Sequence, residues 1–168
     1  VLHQLRVPVR RGGHRCRHCG SRIMTREPRT SPMPLPPSPS TYIHTLRVYW
    51  EDTDAGGVVF YANYLKFFER ARTEWLRARG VHQRALREQA GGMFVVAESQ
   101  VKYLRPARLD DELVVTARLQ EAGRAGMVID QQAWLAHPAS APRQLLCSAR
   151  IRVGWVDATT LKPARIPP

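Results

Sequence analysis

Residues 47–64 read RVYWEDTDAGGVVFYANY, and they indicate a strand that runs into a glycine turn and then into a helix. One carboxylate, Asp54, stands at the turn just before Gly56 and Gly57. The first amides of a helix have no partner inside the helix, and the helix start carries partial positive charge. The stretch therefore predicts an acid beside N–H donors, which together can activate a nucleophile and hold a developing oxyanion.

The helix that follows is predicted over residues 63–79, with Asn63 as its N-cap and Gly80 as its stop. Its apolar residues recur every three or four positions and form one broad face. They are Tyr64, Phe67, Phe68, Ala71, Trp75 and Leu76. A face of this width predicts burial against a sheet.

Alternating apolar residues predict a first strand that begins at Tyr42 and ends near Asp52. After the helix, a short helical piece is predicted over residues 82–89. Four strands are then predicted over residues 93–103, 112–120, 127–135 and 145–156. Strands without intervening helices should pair antiparallel, so the fold class is α+β. A second subunit is one way to cover the remaining sheet face or edge.

The first 40 residues differ from the rest of the chain in charge and in proline content. They hold eight of the 26 basic residues, one of the 14 acidic residues and seven of the 13 prolines. Such a segment has few large apolar residues to offset the entropy of ordering. We expect residues 1–40 to be a disordered Arg/Pro-rich leader, or an upstream extension if translation starts at Met24 or Met33. Residues 41–168 then form one domain.

The leader offers three alternative interpretations, all of them weaker. Its arginines would bind any polyanion without specificity, so no specific nucleic-acid partner is expected. Cys16 and Cys19 form one C-x-x-C pair, which is half of a tetrahedral zinc site, and no second pair follows at finger spacing. The leader lacks the apolar core of a secretory signal, and no apolar run of the chain could span a bilayer. We therefore expect a cytoplasmic protein without metal or cofactor.

The stretch EDTDAGGVVFYANYLKFFERARTEWLR at residues 51–77 resembles the 4-hydroxybenzoyl-CoA thioesterase family, and most closely its YbgC-type branch associated with the Tol–Pal cell-envelope system. The similarity continues in VKYLRPARLDD at residues 101–111 and weakly at residues 161–163. The resemblance implies a hotdog fold, in which an antiparallel sheet wraps around one long central helix. It also implies a homodimer or homotetramer with active sites at the dimer interface, an acyl-CoA substrate, and association with cell-envelope or lipid-synthesis proteins.

The resemblance also assigns roles to particular residues. The acid aligned with Asp54 is catalytic in the family, and the amide aligned with Tyr61 polarises the thioester carbonyl. At Tyr61 this chain matches the 4-hydroxybenzoyl-CoA enzymes, whereas many YbgC-type members carry His. The expected substrate-binding residues are Gly56, Gly57, Val59, Phe60, Asn63, Arg105 and Arg108. The glycines permit close approach of the backbone, Val59 and Phe60 offer further amides, and Asn63 could orient Asp54 or water. Arg105 and Arg108, with Lys102 behind them, could bind the phosphates of coenzyme A.

Two mechanisms and two other functions remain open from the sequence. Asp54 could attack the thioester directly, or it could activate water as a general base. A hotdog module that binds acyl thioesters without cleaving them is the main alternative, and action through the basic leader is another. The segment from Asp52 to Asn63 is no calcium loop, because it lacks the required Glu at the twelfth position.

Overall fold

The computed structural model describes residues 41–136 and 144–167. The expectations for residues 1–40 lie outside this range. The elements are β1 (Tyr42–Arg47), a 3₁₀ turn (Trp50–Asp52), α1 (Asn63–Arg77), α2 (Gln83–Ala90), β2 (Gly92–Tyr103), β3 (Glu112–Ala122), β4 (Gly126–Leu135) and β5 (Gln144–Asp157). The predicted order of one strand, a long helix, a short helix and four strands is confirmed.

The five strands form one antiparallel sheet in the order β1-β3-β4-β5-β2. β2 does not pair with β3, the next strand along the chain. It crosses to the far side of the sheet and pairs with β5, from Gly92 opposite Asp157 to Tyr103 opposite Cys147. β1 and β2 are therefore the two edge strands.

The predicted apolar face of α1 lies against this sheet. Its buried residues are Tyr64, Phe67, Phe68, Ala71 and Trp75, and Leu76 packs at the margin of the same core. The helix contacts β1, β3 and β4, and the alternation of β3 supplies the buried surface opposite, at Leu113, Val115 and Ala117. Burying each large side chain contributes about 1.5–3 kcal/mol, so this face is a main source of stability.

One buried carboxamide joins α1 to β4. Gln131 is fully buried, and its Nε2 donates to the carbonyl oxygen of Phe68 at 3.0 Å. The guanidinium of Arg72 donates to Gln131 Oε1 at 2.6 Å. Burial lowers the pKa of Arg72. This pair satisfies polar groups between helix and sheet that would otherwise be costly to bury.

The two ends of α1 differ in how well the sequence predicts them. Gly80 has a φ of 78°, and Val81 N–H donates to Leu76 O while Gly80 N–H donates to Arg77 O. These two bonds form a Schellman motif, so the predicted glycine stop is correct. The predicted N-cap is wrong, because Asn63 is already the first helical residue and its side chain makes no cap bond.

The first strand is shorter than the alternation predicted. β1 ends at Arg47, and residues 50–52 form a 3₁₀ turn in which Asp52 N–H donates to Tyr49 O and Thr53 N–H to Trp50 O. A carboxylate oxygen of Asp52 accepts the Tyr49 N–H at 3.0 Å. Val48 still exchanges backbone hydrogen bonds with Asp110 and Asp111, and the local bonds of the 3₁₀ turn follow, so that Trp50 is exposed.

Candidate active site

Residues 52–60 fold back on themselves as a short antiparallel hairpin, called the Asp54 hairpin below. Asp54 N–H donates to Val58 O at 2.9 Å, Gly57 N–H to Asp54 O at 3.0 Å, and Phe60 N–H to Asp52 O at 2.9 Å. Gly57 has a φ of 71°, a backbone conformation that residues other than glycine rarely adopt. The glycine turn predicted from the sequence therefore brings the chain back from Asp54 to the start of α1.

The carboxylate of Asp54 lies at the tip of this hairpin. Its Oδ1 accepts the Gly56 N–H at 2.8 Å. No other hydrogen bond to this carboxylate is found in residues 41–136 and 144–167. The side chain is exposed in the single chain. One oxygen is therefore oriented by the backbone, and the other, Oδ2, is available to react.

Gly56 leaves room for that orientation. A Cβ atom added at Gly56 would lie 3.1 Å from Asp54 Oδ1, closer than nearly all real Cβ contacts. A side chain here would have to push against the carboxylate or the turn. Gly56 is thus placed to support Asp54, in addition to the expected close approach of substrate.

Three amides near the helix start were candidates to hold a carbonyl oxygen, and two of them are already engaged. Val59 N–H donates to Ala107 O at 2.9 Å, and Phe60 N–H donates to Asp52 O. The amide of Tyr61 has no acceptor within the described part of the chain. The amides of Val59 and Phe60 thus already have backbone acceptors, and Tyr61 is the candidate whose amide is open among the described residues.

Two polar side chains behind the hairpin have roles that the sequence did not indicate. Asn63 is only 6% exposed, and its Nδ2 donates to the carbonyl oxygen of Asp52 at 3.0 Å. Asp52, expected near the end of the first strand, is 2% exposed and caps the 3₁₀ turn through the bond to Tyr49. Neither role has a signal in the local sequence, because each depends on a partner brought close by the turn.

Aromatic rings surround the start of α1. Tyr61 lies 4.6 Å from Phe60 and 6.0 Å from Tyr103, measured between ring centroids, and Tyr103 lies 5.9 Å from Tyr64. Phe60, Tyr61 and Tyr103 are exposed, whereas Tyr64 is buried. Burial raises the pKa of both Tyr64 and Tyr103, so these phenols stay neutral at ordinary pH. Tyr103 was not among the predicted site residues, because it ends a strand that is 40 residues away in sequence.

The segment before β3 is joined to both the hairpin and the helix. Val58 and Arg108 form an antiparallel bridge, and Ala107 N–H donates to the hydroxyl of Tyr64 at 3.0 Å. The backbone of Arg108 therefore lies beside the Asp54 hairpin, while Arg105 follows the end of β2. Both guanidinium groups are on exposed residues and make no ion pair with another described residue.

Three other features of the described ranges concern metal ligands, membrane-spanning helices and the acids of α1. These ranges contain no group of three His, Cys, Asp or Glu side chains placed to hold a metal ion. None of their helices is long and apolar enough to cross a membrane. Glu69 accepts a hydrogen bond from Thr73 and Glu74 pairs with Arg77, so both helix acids are engaged on the helix itself.

The chain belongs to the thioesterase superfamily, whose sequence pattern matches residues 56–141. It is 40% identical over 122 residues to the acyl-CoA thioesterase YbgC of Haemophilus influenzae, a match that covers 73% of this chain and 85% of that protein. It is 35% identical over 125 residues to YbgC of Helicobacter pylori, with 72% and 90% covered. The resemblance seen at residues 51–77 is therefore confirmed. The family pattern begins at Gly56, so it does not itself include Asp54.

Solved structures agree on the fold. A probable thioesterase from Bartonella henselae matches with a TM-score of 0.64 and 30% identity, covering 76% of this chain and 99% of that one. A mutant 4-hydroxybenzoyl CoA thioesterase complexed with 4-hydroxybenzoyl CoA matches with a TM-score of 0.70 over 76% and 94%, at 19% identity. At that identity the second match shows the fold alone. The hotdog architecture expected from the sequence is confirmed.

Proposed function

We propose that this protein is an acyl-CoA thioesterase in which Asp54 and the amide of Tyr61 act together on the thioester. The observation that carries the proposal is the Asp54 carboxylate, which is exposed, held at one oxygen by Gly56 and unpaired at the other within the described residues. It stands on a hairpin that leads within a few residues to the Tyr61 amide, which has no acceptor in residues 41–136 and 144–167. The YbgC relatives, which are named acyl-CoA thioesterases, support this reading.

The chemistry can follow either of two balanced routes. In the first, Oδ2 of Asp54 attacks the thioester carbon, the C–S bond breaks, the thiolate leaves and takes a proton, and water hydrolyses the mixed anhydride. In the second, Asp54 removes a proton from water, the hydroxide attacks, and the proton passes to the departing sulfur. In both, negative charge develops on the carbonyl oxygen, which the Tyr61 amide would stabilise.

The substrate's phosphates would bind at the arginine side of the site. Arg108 lies opposite Val58 of the Asp54 hairpin, and its guanidinium has no carboxylate partner among the described residues. Arginine binds phosphate through paired N–H donors. Arg105, three residues earlier, would add a second positive charge, and Lys102 a third.

We include a second copy of the chain in the proposal. In the single chain Asp54 and the Tyr61 ring are open to solvent, and β2 is an edge strand with several exposed apolar side chains. Edge strands and exposed rings of this kind are normally covered. A partner that covered both this edge and the Asp54 hairpin would exclude water from the acid, which would strengthen the electrostatic contribution of both groups.

The deciding experiment is a hydrolysis panel of short, long and aromatic acyl-CoAs, with release of free thiol as the readout. We expect Asp54→Asn to lose at least about a hundredfold in turnover, the scale of removing a principal catalytic group. Glu51→Gln is the matched control, since Glu51 is an exposed acid in the neighbouring turn and makes no side-chain bond with the described residues. Near-normal turnover by Asp54→Asn would reject the role of Asp54.

The same panel separates the alternative functions. A module that only binds thioesters would retain acyl-CoA without releasing thiol in the wild type. Deletion of residues 1–40 tests the leader. If the protein is a thioesterase, the variant that lacks residues 1–40 should hydrolyse acyl-CoA at an unchanged rate. A function carried by the basic leader would be lost in that variant.

A further inference from the structure

We propose that Asn63 is a positioning residue that fixes the Asp54 hairpin to the first turn of α1 through the carbonyl of Asp52. This inference rests on the proposed function, since it concerns the geometry of the same two groups. The sequence suggested that Asn63 caps the helix, binds substrate, or orients Asp54 or water, and the proposed role is indirect because it acts through the Asp52 carbonyl.

The contact is a buried side-chain bond between two parts of the site. Asn63 Nδ2 donates to Asp52 O at 3.0 Å, and the Phe60 amide donates to the same oxygen at 2.9 Å. The first donor belongs to α1, and the second belongs to the returning arm of the hairpin. One carbonyl therefore ties together the outgoing arm that leads to Asp54, the returning arm, and the helix.

The two catalytic groups of the proposal, Asp54 and the Tyr61 amide, lie on either side of the bonds to the Asp52 carbonyl. Asp54 lies two positions after Asp52, and Tyr61 lies between Phe60 and Asn63. Asp52 is itself fixed from behind, because its buried carboxylate accepts the Tyr49 N–H at 3.0 Å. Loss of the Asn63 donor would leave Asp52 O with one bond and would let the hairpin shift relative to the helix start.

Small displacements of this kind reduce turnover more than binding. A misplacement of about 1 Å in a reacting group can cost on the order of a hundredfold in rate. We therefore expect a tenfold to hundredfold loss in kcat, with KM changed by less than about threefold, when Asn63 can no longer donate. A direct substrate contact made only in the ground state would instead raise KM and leave kcat unchanged.

Three substitutions separate the donor from the side-chain volume. Asn63→Asp keeps the shape but places a carboxylate oxygen against the Asp52 carbonyl, and Asn63→Ala removes the group. Asn63→Ser keeps a hydroxyl donor, and we expect it to retain more turnover than Asn63→Ala. Should Asn63→Asp fail to fold, the ratio of kcat between the Ser and Ala variants decides the question.

Gln131→Leu is the matched control for a lost buried carboxamide. Gln131 also donates through Nε2 to a main-chain carbonyl, but that carbonyl belongs to Phe68 in the middle of α1. We expect Gln131→Leu to lower the melting temperature while kcat stays within about twofold. A second control places Asn63→Asp in the Asp54→Asn background, where the further loss should be smaller than in the wild-type background, because the part of the effect that acts through Asp54 is already absent.

Each outcome decides a separate claim. Unchanged kcat in Asn63→Asp and Asn63→Ala, with Asp54→Asn inactive, overturns the positioning role and leaves the proposed function intact. A rise in KM alone overturns it in favour of substrate contact, and an equal loss in Gln131→Leu assigns the effect to general instability. Absence of hydrolysis by the wild type on every acyl-CoA contradicts the proposed function itself.

Discussion

The Asp54 carboxylate and the Gly56 amide are joined by a bond of 2.8 Å within a segment of three residues. Aspartate side chains commonly accept the backbone N–H two residues further on, and this bond stabilises a turn. The candidate nucleophile is therefore oriented by local sequence and needs no contact with the core for that. Its second oxygen is left for chemistry.

This geometry makes Gly56→Ala an informative change. Its Cβ would lie 3.1 Å from Asp54 Oδ1 and would displace the carboxylate or the turn by a few tenths of an ångström. We expect a several-fold fall in kcat with little change in the free energy of unfolding, because Gly56 is exposed. Steady-state kinetics and urea unfolding measure the two quantities. Ala55→Ser in the same exposed turn is the control, and equal kinetics of the two variants would contradict the prediction.

The local part of the site could be predicted from the sequence, and the long-range part could not. Asp54, Gly56 and Tyr61 stand in one continuous stretch with clear turn chemistry. Whether an amide is available depends on distant carbonyls: that of Ala107 occupies the Val59 amide. Neither periodicity nor spacing within residues 47–64 indicates that contact. The sequence therefore predicted more free amide donors than the folded chain contains.

At the level of elements, hydrophobic periodicity predicted which segments are helices and which are strands. The residue at which each of these segments ends depended on single side chains or glycines. Gly80 and Gly91 end α1 and α2 with positive φ, and glycine is the residue that such ends favour. The first strand was predicted too long because Val48 and Trp50 continue the alternation with a period of two. The turn bonds made by Asp52 outweigh that pattern.

The adjacent glycines before β2 should respond differently to alanine. Gly91 has a φ of 64°, and a Cβ added there would have no atom within 4 Å. Gly91→Ala should therefore lower the free energy of unfolding only through backbone strain, by about 1–2 kcal/mol. At Gly92 a Cβ would lie 2.5 Å from the ring of Trp155, and Gly92→Ala must displace a buried indole. Overpacking of this kind costs about 1–3 kcal/mol.

Urea unfolding distinguishes the two causes if asparagine is tested as well. Asparagine tolerates positive φ better than alanine, so Gly91→Asn should recover part of the loss at Gly91. Gly92→Asn should be worse than Gly92→Ala, since it adds atoms against Trp155. Recovery at both positions would show that the clash at Gly92 is relieved by the backbone.

For the molecule as a whole, one buried thiol should contribute to the loss of stability at alkaline pH. Burial raises the pKa of Cys147 from 9.0 to about 12. Its contribution is therefore fully present below pH 9 and is lost as the pH rises towards 12, because the unfolded thiol ionises first. The loss approaches about 1.4 kcal/mol per pH unit for one group.

The variant Cys147→Ala removes the contribution of the thiol to this dependence and leaves that of Tyr64 and Tyr103, whose pKa burial also raises. We expect the free energy of unfolding of the variant to be lower than that of the wild type near pH 8, because the smaller side chain leaves a cavity while the wild-type thiol is still neutral in both states. The gap should narrow between pH 9 and pH 11 as the wild type loses stability faster. Urea titrations at several pH values measure it, and parallel curves for the two proteins would contradict the assignment.

Ala107 connects the Asp54 hairpin, the start of α1 and Arg108. Its carbonyl accepts the Val59 amide, its N–H donates to the Tyr64 hydroxyl, and Arg108 follows at once. A nucleotide bound by Arg108 would therefore contact the same backbone segment that supports the Asp54 hairpin. The part of the substrate farthest from the C–S bond would then help to align that bond with Asp54. Its binding energy would raise kcat as well as the affinity for substrate.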